Sequence, residues 1–254
     1  MQADLKAVAR CGVHGTTAIT AVTAQSTVGV SAIYPLPGEL IIAQVRAVIG
    51  DIGADAVKVG MLGTTEVTLA VARALGELPA GTPVVVDPVM VAESGARLLD
   101  RDAQQALVRE ILPLATVLTP NLPEARVLAG WATPTNEEEG EEAEALGRAL
   151  LALGPSVVVV TGGHRARAVD LFLDAEDDRV VELEGERYPD GAAHGSGCTH
   201  SSLLAAQLAL GFEPLEASRT ARRLAGEAVK RGLRDIGAGA GPVDVLGLER
   251  MRSL

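Results

Sequence analysis

The chain has 254 residues, 48% of them hydrophobic and only 2% aromatic, so one large core is affordable and must be built from Val, Leu, Ile and Ala, as suits parallel strands under helices. Its net charge of −11 argues against a nucleic-acid surface, which needs clustered Lys and Arg, and leaves any anionic substrate to helix ends, metal ions or a few residues. Two cysteines in no zinc spacing, apolar runs far short of a membrane span and no signal pattern lead to the expectation of a cytoplasmic protein with no membrane contact, a single domain over residues 1–254.

Met1 to Arg10 carries apolar residues at helical spacing and runs into Gly12, a helix ending at a glycine. Thr16 to Thr23 is β-branched and reads as a strand, Pro37 to Ile49 as a helix, and Ala54 to Val59 as a short strand closed by Gly60. The rhythm continues with Thr64 to Leu75 as helix, Pro83 to Val86 as a strand ending at Asp87, Asp102 to Ile111 as helix and Ala115 to Leu118 as strand. Such alternation predicts a mostly parallel sheet with helices on both faces, a three-layer α/β sandwich. Asn121 to Leu128 and Glu137 to Leu153 are further helices, and the acidic run Glu137 to Glu144 reads as a solvated face. Ser156 to Val160 is the clearest buried strand. Ala168 to Leu173 and Arg179 to Tyr188, separated by the polar cluster Asp174 to Asp178, predict an antiparallel hairpin; Cys198 to Leu210 and Pro214 to Arg231 are closing helices.

Ligands of open α/β sheets sit outside the carboxyl ends of the strands. Five polar or glycine segments stand there: Thr23-Ala24-Gln25, Lys58 to Met61, Asp87 to Met90, Thr119 to Glu124, and Thr161-Gly162-Gly163-His164. A sixth, Gly191 to Thr199, leads glycines straight into an apolar helix, the pattern of an anion hole made from unpaired N–H groups and a helix dipole. Cys198 at that positive end is expected to have a lowered thiol pKa, as a catalytic base or a polar substrate contact. Cys11 reads as packing.

Together these segments resemble the hydroxymethylpyrimidine and phosphomethylpyrimidine kinases, the thiamine-pathway branch of the ribokinase-like superfamily. Gln2 to Lys6 matches the family's Gln-Ala-Asp-Leu-Lys helix, Val22 to Gln25 its Val-x-Ala-Gln strand end, Lys58 to Leu62 its Lys-x-Gly-Met-Leu turn and Asp87 to Met90 its Asp-Pro-Val-Met turn. Thr119-Pro120-Asn121 with Glu124 matches the superfamily's Asn-x-x-Glu element, and Gly195-Ser196-Gly197-Cys198 resembles Gly-Thr-Gly-Cys; the likeness runs from Gln2 to about Val243.

The resemblance implies ATP and magnesium as cofactors and a small pyrimidine as partner, with a homodimer left open. It places Gln25, assisted by Asp4, on the aminopyrimidine, and Met61 and Val89 against its ring. Asn121 and Glu124 would serve the magnesium and phosphate shell, the latter pair through water; Thr161 and Gly163 would lie at the nucleotide phosphates. The backbone from Gly195 through Ser196 and Gly197 to Cys198 would stabilise the transferred phosphoryl group, with Cys198 beside the substrate hydroxyl. Two positions depart from the family. Thr161 stands where lysine is frequent, with Arg165 or Arg167 as compensating cations, and Met1 stands where relatives have a strand and glycine-rich loop. From the second departure we expect an upstream segment and a poor catalyst. Alternatives are a pyridoxal-type vitamin kinase on the same scaffold, or a non-catalytic pyrimidine-binding regulator. A nicotinamide dehydrogenase is disfavoured, because no Gly-x-Gly-x-x-Gly follows an early strand.

Overall fold

The computed structural model describes residues 1–92, 94–131, 139–162, 168–188 and 192–248. The chain opens with α1 (Gln2–Arg10), closed by Gly12 in a left-handed conformation at φ 74° that only glycine adopts without cost. An antiparallel pair follows, β1 (Ala21–Ser26) and β2 (Gly29–Pro35), and then α2 (Gly38–Asp51), β3 (Val57–Val59), α3 (Thr65–Leu75), β4 (Val84–Val86) and α4 (Arg101–Ala106). β5 (Val117–Leu118) leads to α5 (Leu122–Ala129), α6 (Glu139–Leu151), β6 (Val157–Val160), the pair β7 (Val169–Asp174) and β8 (Arg179–Glu184), and the closing helices α7 (Ser196–Ala209) and α8 (Pro214–Lys230).

Among the described residues the central sheet has the order β3-β4-β5-β6-β7-β8, parallel from β3 to β6 and antiparallel beyond. Successive side chains of a strand point to opposite faces, and the valine runs divide accordingly. Val84, Val86, Val158 and Val160 join one core with Ile41, Val67, Leu107 and Leu146 from α2, α3, α6 and the turn after α4. Val85, Val157 and Val159 join the other with Ala7, Leu203, Leu204 and Ala221 from α1, α7 and α8. This is the expected three-layer sandwich with helices on both faces. Because β3 to β6 run the same way, their ends at Gly60, Asp87, Thr119 and Thr161 share one edge of the sheet. No helix among the described residues is long and apolar enough to cross a membrane.

Three expectations need correction. The strand read at Thr16 to Thr23 lies instead at Ala21–Ser26 and pairs only with β2, outside the six-stranded sheet, so Thr23 to Gln25 is not one of its strand ends. At Ile19 the side chain of Gln44 takes both backbone groups, donating to the carbonyl at 3.1 Å and accepting from the N–H at 2.9 Å, which takes the place of a ladder. The helix expected over Asp102 to Ile111 is α-helical only to Ala106, widens into a π turn at Leu107–Ile111 and tightens to a 3₁₀ turn at Leu112–Leu114, where Pro113 offers no N–H. The acidic run is not wholly solvated. Glu142 is only 2% exposed, with both carboxylate oxygens 2.6 Å from the guanidinium of Arg126, a paired fork that permits burial. Glu137 and Glu138 lie outside the described residues.

Candidate active site

The shared edge of the sheet opens into a cavity of about 1240 Å³, lined by the ends of β3 to β6, by α1, by the hairpin segment before Gln25 and by the start of α7. A typical small-molecule pocket is roughly 300–1000 Å³, so there is room for more than one small substrate. Asp4, Gln25, Met61, Val89, Asn121, Glu124, Thr161, Gly195, Ser196, Gly197 and Cys198, twelve expected site positions less Gly163, all line it. Gly163 lies outside the described residues, as do Arg165 and Arg167.

α7 begins at Ser196 after Gly195, which holds φ 84° and has no side chain with which to cap the helix. The Ser196 N–H donates to the Ala193 carbonyl at 3.0 Å, whereas among the described residues the amides of Gly197 and Cys198 have no carbonyl partner, which leaves the positive pole of the helix open there. At Gly197 a Cβ would meet nothing within 4 Å, so the first turn borders open space. The segment before it is tied down by His194, whose N–H donates to the Gly241 carbonyl at 3.2 Å and whose carbonyl accepts from Val243 at 3.1 Å.

One turn further along α7, Ser202 Oγ donates to Asp4 Oδ1 at 2.7 Å and Ser201 Oγ lies 3.0 Å from Asp87 Oδ2. Between the two carboxylates sits the ammonium of Lys58, 2.9 Å from Asp4 and 3.4 Å from Asp87, with its side chain 11% exposed. The N-terminal ammonium lies 2.8 Å from the other oxygen of Asp4. Burial alone would raise the Asp4 pKa, but Lys58 and the terminal ammonium more than offset it and bring the group down to about 2. Burial would likewise lower Lys58, yet the surrounding Cys198, Asp87 and Asp4 carry it above its ordinary value. Lysine is therefore charged here, and Asp4 is engaged by Lys58 and Ser202 rather than standing free.

Cys198, third residue of α7, does not follow the expectation of a lowered pKa. Burial pushes its thiol up to about 11; Lys58 opposes this, whereas Asp87 and Asp4 reinforce it. The helix pole is outweighed by desolvation and by two nearby carboxylates. Asn121 and Glu124 form a reciprocal cap at α5: Glu124 N–H donates to Asn121 Oδ1 and Asn121 N–H to Glu124 Oε2, each at 2.9 Å. Burial first and the Asp87 charge second raise the Glu124 pKa to about 7, against backbone hydrogen bonds that lower it. Thr161 continues β6 beside Asn121, its N–H donating to the Pro120 carbonyl at 2.8 Å.

Gln25 stands apart from this network. It is exposed, on β1 just past an irregularity in the register between Ala24 and Gln25. What holds its segment to the sheet is Thr20 Oγ1 donating to the Met61 carbonyl at 2.8 Å. Reading by residue type found the strand ends but assigned no role to Lys58 or Asp87. The signal for Lys58 was a lysine inside an apolar run, which demands a buried counter-charge; nothing local indicated that Asp4 and Asp87 supply it.

A sequence profile described as phosphomethylpyrimidine kinase matches residues 1–244. The chain belongs to the phosphomethylpyrimidine kinase family. A hydroxymethylpyrimidine/phosphomethylpyrimidine kinase of Rhizobium meliloti (strain 1021) is 43% identical over 247 residues, 96% of this chain and 90% of the relative. Among solved structures, phosphomethylpyrimidine kinase from Clostridium difficile 630 is 35% identical with a TM-score of 0.74, covering 90% of each chain. An ADP complex of Bacillus subtilis pyridoxal kinase is 34% identical with a TM-score of 0.82, covering 96% of this chain and 91% of that one. Backbone similarity thus does not separate the two kinase types. Sequence does, since membership in the phosphomethylpyrimidine kinase family rests on the profile and on the higher identity.

Proposed function

We propose that this kinase-family chain uses ATP to phosphorylate the hydroxymethyl group of 4-amino-5-hydroxymethyl-2-methylpyrimidine, and its monophosphate in a second round. The observation that carries the reading is the uncapped N-terminus of α7, with Cys198 in its first turn, opening on the cavity that the strand-end carboxylates also line. An open helix pole favours a transferring phosphoryl group, whose reaction is governed by positioning and charge stabilisation. The amides of Gly197 and Cys198 face the phosphoryl oxygens. Cys198 orients the attacking hydroxyl; its thiol, with a pKa of about 11, is protonated at neutral pH, so the hydroxyl proton passes to a phosphoryl oxygen or to water after the new P–O bond forms, a late loss that a loose transition state tolerates. Gln25 reads the aminopyrimidine, and Met61 and Val89 pack on its ring.

Magnesium suits the opposite wall. Glu124 is held beside Asp87 with its pKa pushed up to about 7, an unfavourable pair of acids that a divalent cation would relieve. No group of three acidic, His or Cys residues able to hold a metal occurs among the described residues, so phosphate and water oxygens would complete the shell around Glu124 and Asp87, as magnesium commonly allows. When bound, the ion neutralises developing phosphate charge. Asn121 keeps Glu124 in place through the cap.

The test is a coupled assay of ATP consumption with the pyrimidine and, in parallel, with pyridoxal, for the parent and Cys198→Ala. Turnover on the pyrimidine that falls up to about 10²-fold in the variant, as for a lost orienting contact, with pyrimidine binding little changed, supports the reading. Preference for pyridoxal would move the chain to the vitamin-kinase alternative. Tight pyrimidine binding without turnover would favour a regulator.

A further inference from the structure

Behind the strand-end edge lies a cluster of ionisable groups that the phosphoryl-transfer reading does not use. Asp170, second residue of β7, is 1% exposed, and His200 on α7 is 5% exposed. Since β7 runs antiparallel to β6, with Leu171 opposite Val160, the register carries Asp170 to the turn that follows β6. There Asp170 Oδ1 accepts the N–H of Gly162 at 2.8 Å. Its other oxygen lies 3.4 Å from His200 Nε2 and 3.6 Å from Arg222 Nε on α8, while a second arm of Arg222 donates to the Ala168 carbonyl.

Two features make this more than a buried ion pair. Among the described residues, Asp170 Oδ2, both ring nitrogens of His200 and Arg222 Nε make no full hydrogen bond, although all are buried; such groups are costly to desolvate and are usually satisfied. Burial would raise the Asp170 pKa, but His200, Arg222 and the Gly162 amide more than offset it, so the carboxylate stays charged. Secondly, Gly162 has no slack: a Cβ there would lie 1.9 Å from the Val169 carbonyl oxygen. The turn is pressed onto β7, and the Asp170 carboxylate is the side chain that fixes its amide.

His200 sits two residues beyond Cys198. Asp170 therefore joins the helix that offers the open N-terminus to the strand end that carries Thr161. We propose that Asp170, His200 and Arg222 form a positioning cluster that fixes the Thr161–Gly162 strand end relative to the N-terminus of α7, and thereby sets affinity for the nucleotide phosphates without affecting the pyrimidine. The assignment to the nucleotide rests on the kinase reading above. Without His200, Asp170 Oδ2 keeps only the longer contact to Arg222, so the carboxylate whose Oδ1 accepts the Gly162 N–H is less firmly oriented. Both walls of the phosphate site then relax.

The experiment measures ADP and pyrimidine binding separately by calorimetry on the intact chain, with thermal unfolding as a control, for His200→Leu, His200→Gln and Asp170→Asn. His200→Leu should weaken ADP about tenfold and leave the pyrimidine within about twofold, the size expected for a substitution that acts through positioning. His200→Gln, which retains a side-chain N–H able to reach Asp170, should recover most of the loss at a similar melting temperature. Should Asp170→Asn not fold, the His200 pair still decides. Parental ADP affinity in both His200 variants, equal weakening of both ligands, or no difference between Leu and Gln would each overturn the proposal. A parent that binds ADP but does not phosphorylate the pyrimidine would refute the kinase reading alone, since the ADP data still judge the cluster.

Discussion

The strand ends of β3 and β4 and the β1–β2 hairpin border the same cavity under opposite physical regimes. At the strand ends Lys58, Asp4 and Asp87 neutralise one another within 3.4 Å, and α7 adds Ser201 and Ser202 to the carboxylates. On the hairpin Gln25 is exposed, Tyr34 is 67% exposed, and Val22, Val28 and Ile33 face solvent as well. The hairpin is tied down by isolated bonds, Thr20 to Met61 and the Gly239 N–H to Thr27 Oγ1 at 3.2 Å. On the proposed reading, chemistry rests on groups held by the core, and the polar contact to the base comes from a peripheral pair of strands. Substitutions in the first region should cost stability together with activity; those in the second should cost binding alone.

The largest effect expected from this contrast is at Lys58. Lys58→Met leaves Asp4 and Asp87 facing each other in a buried site, and breaking a buried pair by removing one partner typically costs about 3–5 kcal/mol. Urea unfolding should show that loss, and adding Asp4→Asn should return part of it, because the two residues are coupled. A stability loss below about 1 kcal/mol would mean that water reaches the site and the two regions are not so different.

What could be read in advance divides along the same line. Val157–Val160 and Val84–Val86 are short all-apolar runs ending in polar residues, so both the parallel sheet and the edge that opens on the cavity were legible. The Asn121–Glu124 spacing carried the cap in itself. Pairings remote in sequence were not legible: Lys58 with Asp4 spans 54 residues and Ser202 with Asp4 spans 198. The Cys198 thiol was misread because the helix pole is a local signal, whereas the desolvation and the carboxylates that dominate it come from the assembled fold. The first strand lies a few residues beyond the expected Thr16–Thr23 because β-branched content marks strand tendency without naming a partner, whereas the β7–β8 hairpin is where the polar cluster Asp174 to Asp178 placed it.

A middle-sized effect concerns Glu124, at the rim of the ordered region. Its folded pKa of about 7 exceeds the ordinary 4.5, so the folded state holds its proton longer than the unfolded chain. The associated stability is fully present below about pH 4.5 and is lost as pH rises to about 7, on the order of 3 kcal/mol. Glu124→Gln is neutral throughout and can still accept the Asn121 N–H, as glutamine does in capping boxes. Unfolding midpoints of parent and variant should therefore diverge between pH 5 and pH 8 in favour of the variant, by an amount of about that size. Magnesium added at pH 8 should narrow the gap by binding the parent's ionised acid. Parallel curves would show that Glu124 ionises alike in both states.

The smallest effect is expected at Gln25, where the comparison is tested most directly. Exposed in the free protein, its amide makes no buried contact that folding depends on, so Gln25→Ala should leave the melting temperature within experimental error. If the amide pairs with the aminopyrimidine, calorimetry should show weaker pyrimidine binding by about 1 kcal/mol, or roughly fivefold, with ADP binding unchanged. The modest size follows from exposure: in the variant, water can replace the amide at the ligand, and no buried group of the protein is left unpaired. Equal loss for both ligands would place the hairpin over the whole cavity and not over the base alone. A fall in melting temperature would show that the hairpin belongs to the same cooperative unit as the strand ends, and the division between a frozen chemical wall and a peripheral reading wall would be wrong.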